Sequence, residues 1–247
     1  MISVVIANAW GNFIKSIPVD ELKRRQHRVC AIETGGLLIF IWITVYVAAL
    51  IWSGINPKDP FTWFLEVAPA IIGAMALLAT YRSFRLTRLV YILILIHCII
   101  LMVGGHYTYA EVPLFDYLKD ALGSNRNNYD KVGHFAQGFI PAMVAREIIL
   151  RKEIIRGAAW QFFFIVTFCL SASAFYELIE WGVALATGEN AQAFLGTQGY
   201  VWDTQSDMAL ALLGAIAALI TLRKLHDRQL SELYLHSDTA SDGTNKY

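Results

Sequence analysis

Charge is scarce in this chain of 247 residues: only 16% are Asp, Glu, Lys or Arg, and the two signs balance at 20 each. Without a basic excess there is no electrostatic footprint for a nucleic-acid partner, and that class is set aside. Cysteine is sparse too. Cys30, Cys98 and Cys169 show none of the paired spacings of zinc ribbons or redox motifs. They read as packing residues, and none lies on a predicted outer loop where a structural disulfide would be expected. P-loop, H-E-x-x-H and dinucleotide patterns are missing, and FCLSASAFYE around Ser173 lacks a G-x-S-x-G elbow. What abounds is apolar: 56% of residues are hydrophobic and 13% aromatic, with a mean hydropathy of +0.47. That is too oily for an ordinary water-soluble domain and predicts an all-α polytopic membrane protein.

A hydrocarbon core about 30 Å thick is crossed by roughly 20 mostly apolar helical residues. Six such runs occur, near 35–54, 61–80, 86–104, 132–150, 158–183 and 205–222, the first two split by Asn56-Pro57. They predict a six-helix transmembrane bundle over 35–222. The fourth and fifth contain Gln, Glu and Arg, so they are expected to face protein, where polar groups can be satisfied. Basic residues set the orientation, because short cytoplasmic segments favour Lys and Arg. Fourteen fall on one side: Lys15, Lys23, Arg24, Arg25 and Arg28; Arg82, Arg85 and Arg88; Arg151, Lys152 and Arg156; Arg223, Lys224 and Arg228. The opposite loops hold Lys58, Lys119, Arg126 and Lys131. Both termini are therefore expected in the cytoplasm. Residues 1–34 read as a cytoplasmic interfacial amphipathic segment, because the basic cluster follows the apolar stretch instead of preceding it as in a signal peptide. Asp20 has the position of a cap for a short helix through ELKRRQHRV. Residues 223–247 read as a cytoplasmic, largely disordered tail, ending in SDTASDGTNKY.

With that topology the unusual polar residues gather toward the outer, periplasmic face. The third span exits at GGHYTY, the fourth enters at YDKVGHF, the fifth carries YELIEW, and the sixth follows WDTQSDM. His106, Asp130, His134, Glu177, Glu180, Asp203 and Asp207 thus reach a similar depth. Asp130 and His134 are four apart, Glu177 and Glu180 three, and Asp203 and Asp207 four, spacings that put each pair on one helix face. Five carboxylates together at a membrane boundary need protons or a metal to compensate them. Hard oxygen ligands with one or two imidazoles suit Mg²⁺, Mn²⁺, Ca²⁺ or Zn²⁺. The candidate ligands are Asp130, His134, Glu177, Glu180, Asp203 and Asp207, with Glu180 or His134 as general base.

The candidate substrate contacts are His106, Gln137 and Gln205; Gln137, three residues beyond His134, can alternatively orient its imidazole. Each acid taken singly also reads as a helix cap or a partner of Lys131 or Arg126, and Asp203 has the position of a cap. His97, alone mid-span, reads as a hydrogen-bonded core histidine, and Asp116 as a solvated loop charge. Glu66 has no partner the sequence names. Arg146 and Glu147 read as structural, free to snorkel to water. FLGTQGY over 194–200 reads as a tight turn or an anion-binding nest.

The runs GGHYTYAEVPL, RNNYDKVGHFAQGFIPA, YELIEWGVAL and FLGTQGYVWDTQSDM, in that order, resemble the YjdF-like family of bacterial inner-membrane proteins, a domain of unknown function, over about residues 30–225. The resemblance implies a multi-pass inner-membrane protein. The family pattern has an acidic residue after the GTQG turn where this chain has Tyr200, one ligand fewer than a two-metal centre would use. A second similarity is to VanZ-like membrane proteins. Asp130, Lys131, His134 and Phe135 fit their first element, Glu177 the second with Glu180 in place of Gln, and Asp207 the third, with Ala211 in place of Asn. That similarity implies a cell-envelope or lipid-related role.

Three functions compete on these residues. One is a cation-dependent hydrolase or phosphoryl transferase acting on a lipid or lipid-linked substrate at the outer leaflet, the metal polarising an oxygen and activating water. The second is an ion-coupled transporter, although such sites usually lie near the midplane. The third is a structural partner protein whose acids only cap and pair helices. Membrane lipids are the expected surroundings in each.

Overall fold

The computed structural model describes residues 19–187 and 197–241, with side chains over 36–187 and 197–233. Among the described residues there are eight helices and no strand: α1 (Val19–Gly54), α2 (Pro60–Thr80), α3 (Arg88–Tyr107), α4 (Pro113–Leu122), α5 (Tyr129–Arg151), α6 (Ala158–Thr187), α7 (Asp203–Thr221) and α8 (Arg223–Ser241). Five are long and apolar enough to cross a membrane: the Gly36–Gly54 part of α1, then α2, α3, α6 and α7. The expected fourth span is helical, but α5 is not apolar enough to join them. Asp130, Lys131, Arg146, Glu147 and Arg151 all belong to it.

The chain divides into two compact units, residues 1–47 and 48–247. In the first, α1 is continuous through the basic segment, so the short helix expected behind Asp20 is the beginning of a 36-residue rod. Residues 1–18, and with them most of the predicted interfacial segment, lie outside the described residues. Near the end of this unit Trp42 stacks on Tyr46, ring centroids 5.3 Å apart.

The second unit is organised by its helix starts and by one close helix contact. Asp59 caps α2, accepting from the amides of Phe61 and Thr62 at 3.2 Å each, with Pro60 pre-set in the first turn. Thr87 caps α3. Helices α5 and α7 run parallel and touch through small residues. A Cβ on Gly138 would fall on the Ala211 carbonyl, and one on Gly214 on the carbonyl of Phe135. Ala142, Ala211, Ala215 and Ala218 are fully buried along the same seam. Backbones this close are what small residues permit between membrane helices. Because the contact steps 138 against 211, one turn back sets 134 against 207 and another sets 130 against 203.

Apolar packing of α3 and α6 completes the core around Val90, Met143, Ile165 and Cys169. Cys98 and Cys169 are buried free thiols, and Cys30 lies outside the described side chains. The fifth predicted span faces protein only along Ile165, Cys169, Ser173, Glu177 and Glu180; Phe163, Phe168, Phe175, Leu178 and Trp181 point outward. The expectation of a largely disordered tail over 223–247 is corrected as far as Ser241. Arg223–Ser241 is helical and anchored: Gln229 accepts from the Leu89 amide at 2.8 Å, and buried His226 sits against Glu147. Residues 242–247 lie outside the described ones.

Candidate functional site

The register between α5 and α7 puts Asp130, Lys131 and His134 of one helix against Asp203, Ser206 and Asp207 of the other. Lys131 is central to this contact. Its ammonium nitrogen lies 2.7 Å from Asp203 Oδ1, 2.6 Å from Asp207 Oδ1 and 2.7 Å from Ser206 Oγ. Arg126, one turn ahead of Asp130, donates to Asp130 Oδ2 at 2.7 Å and pairs with Asp203 Oδ1 at 2.6 Å. Arg126 lies in the loop ahead of α5. Burial works to lower its pKa, but the pairing with Asp203, Asp130 and Asp207 outweighs burial and holds the guanidinium above its ordinary value. The Tyr200 ring lies 5.6 Å from the Arg126 guanidinium and 5.5 Å from the Lys131 ammonium. Tyr200 thus supplies an aromatic face to both cations.

Each of two acids is divided in its allegiance. Asp130 gives Oδ2 to Arg126, and its Oδ1 stands 3.1 Å from His134 Nε2. Asp207 gives Oδ1 to Lys131, and its Oδ2 stands 3.8 Å from the same Nε2. The other imidazole nitrogen, Nδ1, is 3.0 Å from Gln137 Oε1 and 4.0 Å from Glu177 Oε1. Glu177 Oε1 is buried and makes no hydrogen bond among the described residues. Ligand atoms of Asp130, His134 and Asp207 lie within 4.8 Å of one another, close enough to converge on one ion. The donor set of two carboxylates and one imidazole, with Glu177 beside it, suits a hard or borderline divalent cation. Gln137 holds Nδ1 as a donor, the outer-shell arrangement that turns Nε2 toward a metal.

Next to this cluster a cavity of about 90 Å³ is lined by His134, Gln137, Glu180, Glu66, Tyr176 and Tyr109, among others. Tyr176 donates to Glu66 Oε2 at 3.3 Å. The cavity extends to Pro69 and His97, each halfway along its helix. His97 Nε2 is buried with no hydrogen bond among the described residues.

Other predicted residues fall elsewhere. His106 shares the depth of the cluster but not its side: its Nδ1 meets the Ser53 carbonyl at 3.0 Å and its ring packs on Trp52, at the junction of α1 and α2. Gln205 is exposed, because two residues from both Asp203 and Asp207 is about half a turn round a helix. Neither residue lines the cavity. Asp203 makes no cap, and its Oδ1 is shared by Arg126 and Lys131; it anchors cations and lies outside the converging trio. Glu180 reaches the cavity, not the trio.

The surrounding loops hold the cluster in place. Thr197 accepts from Arg126 at 3.0 Å, and the Gln198 amide exchanges hydrogen bonds with the Asn127 backbone at 3.0 and 2.9 Å. Of the FLGTQGY stretch, 197–200 forms a tight turn, closed by Tyr200 N to Thr197 O at 2.8 Å. Asn127 also donates to Asp116 at 3.0 Å, and this bond holds the Asp116 carboxyl below its ordinary value. Asp116, read as a solvated loop charge, is thus part of a latch between α4 and the start of α5.

Arg126 and Lys131, which the sequence offers only as partners for single acids, join several of them into one network. Arg126 is four residues before Asp130, the same spacing that singled out Asp130 and His134, and that was the available signal.

The family model for predicted membrane proteins, DUF2238, matches residues 38–228. The chain belongs to this family. It is 54% identical over 181 residues to the inner membrane protein YjdF of Escherichia coli (strain K12), an alignment covering 73% of this chain and 87% of that protein. No solved structure matches. The chain is a multi-pass inner-membrane protein, as the YjdF-like motifs implied, and the family match spans the whole site from Glu66 to Asp207.

Proposed function

We propose that the chain is a cation-dependent enzyme acting on a lipid or lipid-linked envelope substrate at the periplasmic face of the inner membrane. In this reading six helices span, α5 being the sixth, and both termini are cytoplasmic. One observation carries it: both nitrogens of His134 face acceptor oxygens, an arrangement that a cation between Nε2 and the carboxylates of Asp130 and Asp207 would satisfy. Such a cation would be a proton or a metal ion, and the convergence of three ligand atoms beside a Glu177 oxygen that accepts no hydrogen bond favours the metal.

Asp130 Oδ1, His134 Nε2 and Asp207 Oδ2 would hold Mg²⁺, Mn²⁺, Ca²⁺ or Zn²⁺, with Glu177 as fourth ligand. Lys131, Arg126 and Asp203 keep the first-turn acids oriented. The ion would polarise a phosphoryl or ester oxygen and lower the pKa of a bound water. Glu180 and Gln137, lining the cavity, face the place a substrate group would occupy, and Glu180 is the candidate base for hydrolysis or phosphoryl transfer.

Elemental analysis of the detergent-purified protein, with a lipid mass spectrum of the same sample, tests this reading. The expected result is about one divalent ion per chain, lost in Asp207→Asn and weakened about tenfold or more in Glu177→Gln, with expression near parental in both. A parent without metal, or variants that bind it like the parent, would overturn the ligand assignment.

A second reading has its own support. The cavity reaches mid-helix at Pro69 and His97, the depth at which carriers place their sites. An ion-coupled transporter would load the same acids with protons or cations, and flux into proteoliposomes abolished by Glu66→Gln would favour it.

A further inference from the structure

The ends of α5, α6 and α7 remote from the site enclose a second polar cavity. It measures about 60 Å³ and is lined by Arg146, Arg223 and Gln161, with Ile149, Phe162 and Leu219 in its apolar wall. Arg146 is buried and held from behind, donating to His226 Nδ1 at 2.7 Å and to Asp227 Oδ1 at 2.6 Å. Arg223 is exposed, and its Nε reaches the same carboxylate only at 3.8 Å. One carboxylate thus serves two guanidinium groups, and the cavity keeps a net positive charge. The flanking stretches reinforce it: 146–156 and 223–228 together hold seven Arg or Lys against three Asp or Glu.

The wall beside these charges is greasy and open. Phe162 is 42% exposed. On the next stripe of α6, Trp160, Phe163 and Phe164 form an aromatic cluster with centroids 5.5 to 6.1 Å apart, the composition of a membrane border. A cationic hollow between helix ends, with an apolar wall facing hydrocarbon, matches a ligand that is anionic at one end and aliphatic at the other. A free anion would leave the wall unused, and a zwitterionic headgroup would bring its own ammonium against the arginines.

We infer that this cavity binds the phosphate of an anionic phospholipid, with Arg146 and Arg223 on the phosphate and the acyl chains along Phe162. It is independent of the acid cluster at the other end and of whether that cluster is catalytic.

Native mass spectrometry of the full chain in detergent tests it, with phosphatidylglycerol, phosphatidylcholine of identical chains, and inorganic phosphate as probes. Phosphatidylglycerol is expected to be retained at about tenfold lower concentration than phosphatidylcholine. Arg223→Gln, at an exposed position, is expected to weaken that retention about fivefold or more. Lys58→Gln, at the opposite end, is expected to leave it unchanged. Equal retention of the two lipids, an undiminished Arg223→Gln, or an equal loss in Lys58→Gln would overturn the site. Displacement of phosphatidylglycerol by inorganic phosphate alone would assign the cavity to a free anion and overturn the lipid.

Discussion

Lys131 is the residue whose removal the acid cluster would tolerate least. Its ammonium is the shared partner of Asp203 and Asp207 and lies 3.6 Å from Asp130. Replacing one member of a largely buried ion network leaves the others desolvated without compensation, at a cost of about 3 kcal/mol. Lys131→Met is therefore expected to lower the thermal midpoint in detergent markedly, and adding Asp207→Asn to recover part of the loss; a Lys131→Met protein as stable as the parent would contradict the geometry. Asp116 offers a pH-dependent contrast outside the spans. Its Asn127 bond holds the carboxyl below the ordinary value of 3.8, so the contribution is present above that value and disappears as pH falls through the folded one. The stability deficit of Asp116→Asn relative to the parent is expected in full at about pH 7 and should shrink as pH falls below the ordinary carboxylate value, vanishing only beneath the lowered folded one. At this scale spacing made part of the site legible. Asp130 with His134 and Glu177 with Glu180 announced themselves by their intervals, and the structure buries all four. Azimuth was not legible: His106 and Gln205 lie apart from the cavity, because interval counts place residues along one helix and say nothing of how neighbouring helices are rotated.

Among the elements, the α5–α7 seam decides whether the site exists. Gly138 and Gly214 were not singled out in the sequence, since a glycine within a helix carries no sign of which backbone it touches. Yet the pairing of 134 with 207 follows from the Gly138–Ala211 approach one turn away. Gly138→Val would drive a branched side chain into the Ala211 carbonyl and separate the helices by more than a metal's coordination sphere tolerates. The expected outcome is a protein that still inserts, has lost any bound divalent ion, and melts lower by an amount typical of overpacking, about 1 to 3 kcal/mol. Unchanged metal content would show that the seam does not set the site. Five of the six runs were legible from hydropathy and length; α5 is helical as expected but not apolar enough to join them. The helical start of the tail was not legible, because α8 is mostly polar and owes its place to partners, Glu147 and the Leu89 amide, that lie about 80 and 140 residues away in sequence.

At the scale of the whole molecule, two polar networks occupy opposite ends of the same helices. The acids of α5, α6 and α7 meet near one end; Arg146, Glu147, His226 and Asp227 meet near the other. The positive-inside count legible in the sequence assigns these ends to opposite faces. A cysteine placed at Lys119 is expected to react with a membrane-impermeant maleimide added outside the cell, and one at Lys152 only after the membrane is opened. The reverse pattern would invert the topology.

The weak hydropathy of α5 also has a consequence for biogenesis. A segment that carries Asp130 and Lys131 near one end and Arg146 and Glu147 near the other partitions poorly into lipid by itself, and Asp203 and Asp207, the acids that neutralise Lys131, are synthesised some seventy positions later. In the six-span reading, α5 is therefore expected to enter the bilayer less efficiently alone than in a chain that continues through α7, and glycosylation mapping of truncated chains checks this.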